Sequence, residues 1–143
     1  MASEIKDINL AESGLRKIEW VRRNCPLLSM LHDEFEKTKP FAGKKIALSV
    51  HLEAKTAYLC LTLKAGGAEM YVTGSNPLST QDDVAAALVH EGLEVHAWHG
   101  TTDEEYNKKT WRDRMNFAAA SVIAVSSSAV SSTENSFIPS AIA

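Results

Sequence analysis

The chain of 143 residues has few cysteines, little excess charge and no long hydrophobic run. A formal net charge of −3 provides no cationic surface for counterion release, so we expect no nucleic-acid partner. The longest apolar run near the end, residues 117–125, is too short to span a bilayer, so we expect no membrane segment. Two cysteines without metal-type spacing and the absence of a basic-then-apolar leader are typical of reduced thiols in a cytoplasmic protein.

Several catalytic motifs are also missing. The stretch Lys64-Ala65-Gly66-Gly67-Ala68 lacks the glycine spacing of both a phosphate-binding loop and a dinucleotide fingerprint, and no G-x-S-x-G elbow is present. His96 and His99 are three residues apart, and such side chains point to opposite faces of a strand. We therefore predict no metal site.

The composition, with 45% hydrophobic and 23% charged residues, is that of a globular domain. Apolar residues recur at helical spacing over residues 7–37, and Pro26 is expected to divide this segment into two helices. The Lys39-Pro40 pair then predicts an extended link.

Beyond residue 44 the pattern alternates between strands and helices. Strands are predicted at residues 46–50, 69–73 and 93–98, with helices at residues 56–63 and 84–88 between them. A hydroxyl side chain is expected to cap the second helix, and acids occupy its first turn. The predicted fold is α/β, with three layers and a mainly parallel sheet of Rossmann-like or flavodoxin-like type, preceded by a helical pair. A further helix is predicted at residues 104–115, a fourth strand at 121–125, and a flexible serine-rich tail after it.

Ligands of open parallel sheets collect at the carboxyl ends of the strands, which here are followed by polar side chains. The first candidate site is His51, Glu53, Lys55 and Thr56, which offers a proton shuttle and an acceptor–donor pair suited to the edge of a purine. The alternative is a packed strand end followed by solvated charges of a helical first turn.

The second candidate site is the polar start of the next helix, with Asn76, Ser79, Thr80 and Gln81. Free backbone N–H groups and short polar side chains at such a place bind polar ligands. The alternative is a capped helix with no ligand.

Several stretches together resemble the adenosylhomocysteinase family. They are Asp7-Ile8-Asn9-Leu10-Ala11, Glu19-Trp20-Val21-Arg22-Arg23, Lys39-Pro40-Phe41-Ala42-Gly43, His51-Leu52-Glu53-Ala54-Lys55-Thr56-Ala57, Gly66-Gly67-Ala68-Glu69, residues 76–88 and Ala97-Trp98. The resemblance covers residues 7–106, which we interpret as part of a substrate-binding domain, with residues 107–143 divergent. The Glu-Ala-Lys-Thr form at residues 53–56 resembles archaeal and thermophilic bacterial members.

The resemblance implies NAD-dependent, reversible hydrolysis of S-adenosylhomocysteine to adenosine and homocysteine by a homo-oligomeric enzyme. In that scheme His51 exchanges a proton near the 5′ position, and Glu53, Lys55 and Thr56 face the purine. An acid–amine pair serves adenine or hypoxanthine by exchanging roles, so an S-inosylhomocysteine-type substrate is an open alternative.

After residue 106 the similarity fades. If the fourth strand is the family strand that leads to an Asp-Asp-Gly segment, Ser126-Ser127-Ser128 stands in its place, and the NAD-binding portion is absent from the chain. We therefore expect a truncated or frame-altered relative with no turnover of its own and an exposed sheet edge. Two other hypotheses are a non-catalytic nucleoside-binding module or remnant, and a partner that docks on the intact enzyme.

Overall fold

The computed structural model describes residues 3–102 and 122–126. A short 3-10 helix, Ile8–Leu10, leads into α1, Ala11–Asn24, and α2 follows at Pro26–Thr38. Pro26 is the first residue of α2, where its missing N–H costs nothing, so the predicted division into two helices is confirmed. Cys25 lies at the junction between the two helices.

The predicted extended link after α2 is wrong. Lys39 has a φ of 48°, in the left-handed region, and its backbone N–H donates to the carbonyl of Phe35 at 2.9 Å. This bond satisfies a carbonyl at the end of the helix, which offsets the strain of a positive φ at a non-glycine residue. Residues 40–43 then form a turn rather than an extended segment.

The remaining elements form a parallel sheet with crossover helices. They are β1, Lys45–Val50; α3, Ala54–Ala65; β2, Glu69–Gly74; α4, Asp82–His90; β3, Glu94–His96; and β4, Val122–Ser126. The strand order is β3-β2-β1-β4, and every neighbouring pair is parallel. The α/β fold with a parallel sheet and preceding helices is confirmed, although β3 is shorter than predicted. The helix predicted at residues 104–115 and the tail lie outside the described residues.

The helices α1, α3 and α4 contact one another, and α3 and α4 also contact the strands β2 and β3. The β1-α3-β2 and β2-α4-β3 connections step in the same direction along the sheet, so the right-handed rule for such crossovers puts α3 and α4 on one face. The core beneath them contains Leu48, Val72 and Val95, which are at most 2% exposed. Among the described residues, no helix combines the length and apolar character needed to cross a membrane.

Glycine 14 lets α1 lie against the start of α4. A Cβ atom at Gly14 would lie 2.0 Å from the carbonyl oxygen of Asp83 and 2.8 Å from the Cβ of Ala87. Farther along α1, Ile18 and Val21 are buried, whereas Trp20 is 64% exposed. The helical spacing of apolar residues did not show that Trp20 lies on a different face of α1 from Ile18 and Val21.

The outer edge of β3 is covered by the N-terminal segment. The N–H of Glu4 donates to the carbonyl of Val95 at 2.9 Å, and the N–H of Ala97 donates to the carbonyl of Glu4 at 3.2 Å. The hydroxyl of Ser3 also accepts the N–H of Val95 at 3.1 Å. The exposed edge that we expected is therefore paired at β3, since residues from the opposite end of the described chain satisfy its backbone.

Candidate active site

The loops after β1 and β2 meet at the carboxyl edge of the sheet. The N–H of Ser75 donates to the carbonyl of Val50 at 2.9 Å, and the N–H of Gln81 donates to the carbonyl of Leu52 at 3.0 Å. Leu52 is completely buried and anchors its loop in the core. These contacts bring the two predicted candidate sites together, as parallel strands require.

His51 and Ser79 form the direct contact between the two candidates. Nδ1 of His51 lies 2.6 Å from Oγ of Ser79, and both residues lie at the surface. The Ser79 hydroxyl is also 3.1 Å from the carbonyl oxygen of Asn76. Asn76 shapes the loop, because its side-chain oxygen accepts the N–H of Leu78 at 2.8 Å. An accessible imidazole is a group that can exchange a proton.

A capping box at the start of α3 fixes the path from His51 to Lys55. The carboxylate of Glu53 accepts the backbone N–H of Thr56, and Oγ1 of Thr56 accepts the N–H of Glu53 at 3.0 Å. The Thr56 hydroxyl is also 2.6 Å from the carbonyl oxygen of His51. Thr56 therefore supports the His51 backbone, a role that its type and spacing did not reveal.

Glu53 and Lys55 lie on a shallow groove of about 490 Å³ between α1 and the start of α3. Gln81 also lines it, together with Lys17 and Trp20 of α1. His51 is not among the lining residues, so its imidazole lies beside the groove rather than within it. The sequence analysis did not identify Trp20 as a groove residue. Its position among the charged residues of α1 was a signal that it lies on the exposed side of the helix.

The structure gives Thr80 a buried position. Thr80 is 4% exposed, and a Cβ atom on Gly74 would lie 2.5 Å from its Oγ1. The glycine at the end of β2 thus makes room for this hydroxyl. The prediction of a hydroxyl N-cap for α4 is wrong, because the cap residue is Gln81 and it makes no side-chain capping bond. The predicted acids, Asp82 and Asp83, do occupy the first turn.

Asp83 connects this edge to α1. Its Oδ2 lies 2.8 Å from Nζ of Lys17 and accepts the Ser13 hydroxyl at 2.9 Å. Burial raises the pKa of Asp83, but the hydrogen bonds from Lys17 and Ser13 outweigh it and hold the pKa below its usual range. Lys17 also reaches Oε1 of Gln81 at 2.9 Å, whereas the exposed Lys55 has no such partner among the described residues.

His96 and His99, the two histidines considered as metal ligands, make different contacts in the structure. Nε2 of His96 lies 3.0 Å from Oε1 of Glu94, and the backbone N–H of His99 donates to Asp82 at 2.7 Å. Ligand atoms of a different group, His32, Asp33 and Glu36, lie within 4.8 Å of one another on α2. Asp33 and Glu36 are exposed, and exposed acids are common without an ion, so this proximity alone assigns no metal.

Comparison with known proteins agrees with the sequence resemblance. The family model described as S-adenosyl-L-homocysteine hydrolase matches residues 2–124. An adenosylhomocysteinase of Pyrococcus abyssi is 57% identical over 102 residues, which cover 71% of this chain and 24% of the relative. An S-inosyl-L-homocysteine hydrolase of Methanococcus maripaludis is 56% identical over 104 residues, which cover 73% of this chain and 25% of the relative.

The match extends to an adenosylhomocysteinase of Aquifex aeolicus, 50% identical over 109 residues, or 76% of this chain and 26% of that protein. This chain thus spans about a quarter of the length of the curated relatives that it matches. With the family model covering most of its residues, the chain belongs to the S-adenosyl-L-homocysteine hydrolase family.

Proposed function

We propose that residues 7–106 form the purine-nucleoside-binding part of a cytoplasmic hydrolase that acts on S-adenosyl- or S-inosylhomocysteine. The observation that carries this proposal is the contact between His51 and Ser79, which joins two separately predicted sites at one sheet edge. The names of the relatives supply the two substrate classes. Two free cysteines are in keeping with a reducing compartment.

His51 is proposed as the proton-exchanging residue. It follows β1 directly, its side chain is accessible, and Thr56 and Ser79 hold its backbone and its ring respectively. An imidazole changes its protonation near neutral pH and is suited to giving and taking a proton in one cycle.

Glu53 and Lys55 are proposed to bind the purine edge. Thr56 uses one acceptor site of the Glu53 carboxylate, which has about four, so others remain for a ligand. Adenine would donate its amino group to Glu53 and accept from Lys55, whereas hypoxanthine would donate N–H to Glu53 and accept at its carbonyl. His51 and Glu53 are joined by a tight turn, in which the N–H of Glu53 donates to the carbonyl of His51 at 3.0 Å, so the two proposed roles fall on one short segment.

Asn76 and Gln81 complete the proposed binding surface. Asn76 shapes the loop that holds Ser79, and Gln81 borders the groove and is bonded to Lys17. Thr80, being buried, would support the loop from beneath.

The described residues do not fit NAD, the cofactor that the family implies. Gly66 follows the end of α3 rather than preceding a helix, and a Cβ atom there would lie 2.7 Å from Cδ2 of Phe41. Gly67 has a φ of +92° and lies against Ala42. These glycines serve packing and a turn, not a pyrophosphate. We assign this chain no step that involves NAD.

The proposal is tested by calorimetric titration of the chain with adenosine and with inosine. We expect submillimolar binding of at least one nucleoside, weakened about tenfold or more in Lys55→Ala, the effect of losing one charged hydrogen bond. Lys44→Ala removes an exposed lysine at the opposite end of β1 and should bind like the unaltered chain. Absence of binding, or equal affinity in Lys55→Ala, would contradict the proposal.

A further inference from the structure

The hydroxyl of Ser79 lies between two groups that differ in what they can donate. The carbonyl oxygen of Asn76, at 3.1 Å, can only accept a hydrogen bond. Nδ1 of His51, at 2.6 Å, donates in one neutral tautomer and accepts in the other. A hydroxyl has a single proton, so it can donate to only one of these two neighbours.

Only one arrangement makes both contacts favourable. If Ser79 donates to Asn76, its oxygen is free to accept a hydrogen bond from the N–H at Nδ1 of His51. If Ser79 donates to Nδ1 instead, its oxygen faces the Asn76 carbonyl oxygen at 3.1 Å with no proton between them. The first arrangement satisfies two contacts and the second satisfies one. Hydrogen-bond counting therefore favours a proton on Nδ1.

The fold fixes the Asn76 carbonyl, which is the last acceptor in the series of hydrogen bonds from His51 through Ser79. The carbonyl of Asn76 also accepts the backbone N–H of Ser79 at 3.2 Å, which closes a turn. Two residues later, the N–H of Gln81 is bonded to the carbonyl of Leu52, next to His51. The serine and the histidine are thus fixed relative to each other by backbone contacts on both sides.

We propose that Ser79 is a positioning residue that holds His51 in the tautomer with its proton on Nδ1 and its lone pair on Nε2. The proposal rests on the proton-exchanging role proposed for His51 above. In this tautomer Nε2 accepts a proton from the ligand, and the resulting imidazolium returns that proton from the same atom. Nδ1 keeps its own proton and its hydrogen bond to Ser79 throughout, so the hydrogen bond from Ser79 to Asn76 is also unchanged.

The test is the ring ¹⁵N chemical shifts of the histidines in the 143-residue chain, measured without ligand at a pH where the imidazoles are neutral. The signals of His51 are assigned by their loss in His51→Ala. We expect the Nδ1–H tautomer to predominate for His51 and its ratio to the other tautomer to fall about fivefold in Ser79→Ala, the change for one ordinary hydrogen bond. Ser79→Thr retains the hydroxyl and should retain the tautomer.

Exposed His90 serves as the internal control, with ring shifts that should be equal in all variants. A predominant Nε2–H tautomer in the unaltered chain would overturn the proposal, as would an unchanged ratio in a folded Ser79→Ala variant. If Ser79→Ala does not fold, the unaltered chain and Ser79→Thr still decide the result. Nucleoside binding that depends on Lys55, without the expected tautomer, would overturn the positioning role alone.

Discussion

Nζ of Lys17 lies 2.8 Å from Oδ2 of Asp83 and joins α1 to the first turn of α4. The Asp83 side chain is 15% exposed and also accepts the Ser13 hydroxyl, so the contact is more than a surface ion pair. It fastens α1 to the start of α4, the helix that follows the loop containing Ser79.

Asp83→Asn should destabilise the chain by about 1 kcal/mol at pH 7, because the amide loses the charge-assisted bonds of the carboxylate. The pKa of Asp83 is lowered in the folded chain, so this stabilisation is fully present above the unfolded pKa of about 4. It is lost as the pH falls below that value through the lower folded pKa. Urea unfolding at several pH values measures it, and an equal deficit at pH 7 and pH 2 would contradict the assignment.

Gly14→Ala should destabilise the chain by about 3 kcal/mol, because its new methyl group would meet backbone atoms of Asp83 at 2.0 Å and force α1 away from α4. Thermal unfolding measures the loss. Glu12→Ala, at a position whose side chain is 85% exposed on the same helix, should change stability only slightly. Equal stability of the two variants would show that α1 does not lie as close as described.

Glu4→Pro should detach the N-terminal segment from β3, since proline lacks the N–H that donates to Val95. We expect faster hydrogen exchange at the Ala97 amide, which bonds to the Glu4 carbonyl, and faster aggregation through the uncovered edge. Glu4→Ala keeps the N–H and should keep the protection. Equal exchange in the two variants would exclude backbone pairing at this edge.

The two cysteines should differ in reactivity. Burial raises the pKa of the Cys60 thiol to about 12, so almost no thiolate is available at pH 8. Iodoacetamide should modify the partly exposed Cys25 in the folded chain and reach Cys60 only after unfolding. Mass spectrometry of Cys25→Ser, which leaves Cys60 alone, checks this: rapid labelling of the folded variant would contradict the buried placement.

The sequence predicted those features that have local signals. The alternating strands and helices beyond Lys44 indicated a parallel sheet, Pro26 marked a helix start, and the rule for strand ends placed His51 near the next loop. The specific bond from His51 to Ser79 was not predictable, because it depends on how the turn after Asn76 directs a side chain.

The features that sequence reasoning missed depend on distant partners. Glu4 pairs with a strand some ninety residues away, and no pattern around residues 3–5 indicates this. Lys39 adopts a positive φ because a helix carbonyl needed a donor, although the following proline favoured an extended backbone. Hydroxyl residues are usually favoured at the N-cap of a helix. Before α4, however, the hydroxyls of Ser79 and Thr80 donate to the carbonyl of Asn76 within the loop, so neither caps the helix.

The backbone bonds from Ser75 to Val50 and from Gln81 to Leu52 have a consequence for ligand affinity. They fasten the two edge loops to each other, so a nucleoside bound as proposed above would meet a frame that these bonds already hold together. In that proposed complex, conformational entropy would be lost mainly by the few rotatable bonds of exposed side chains such as Lys55. A rigid frame of this kind allows a small contact area to retain most of its interaction energy as affinity.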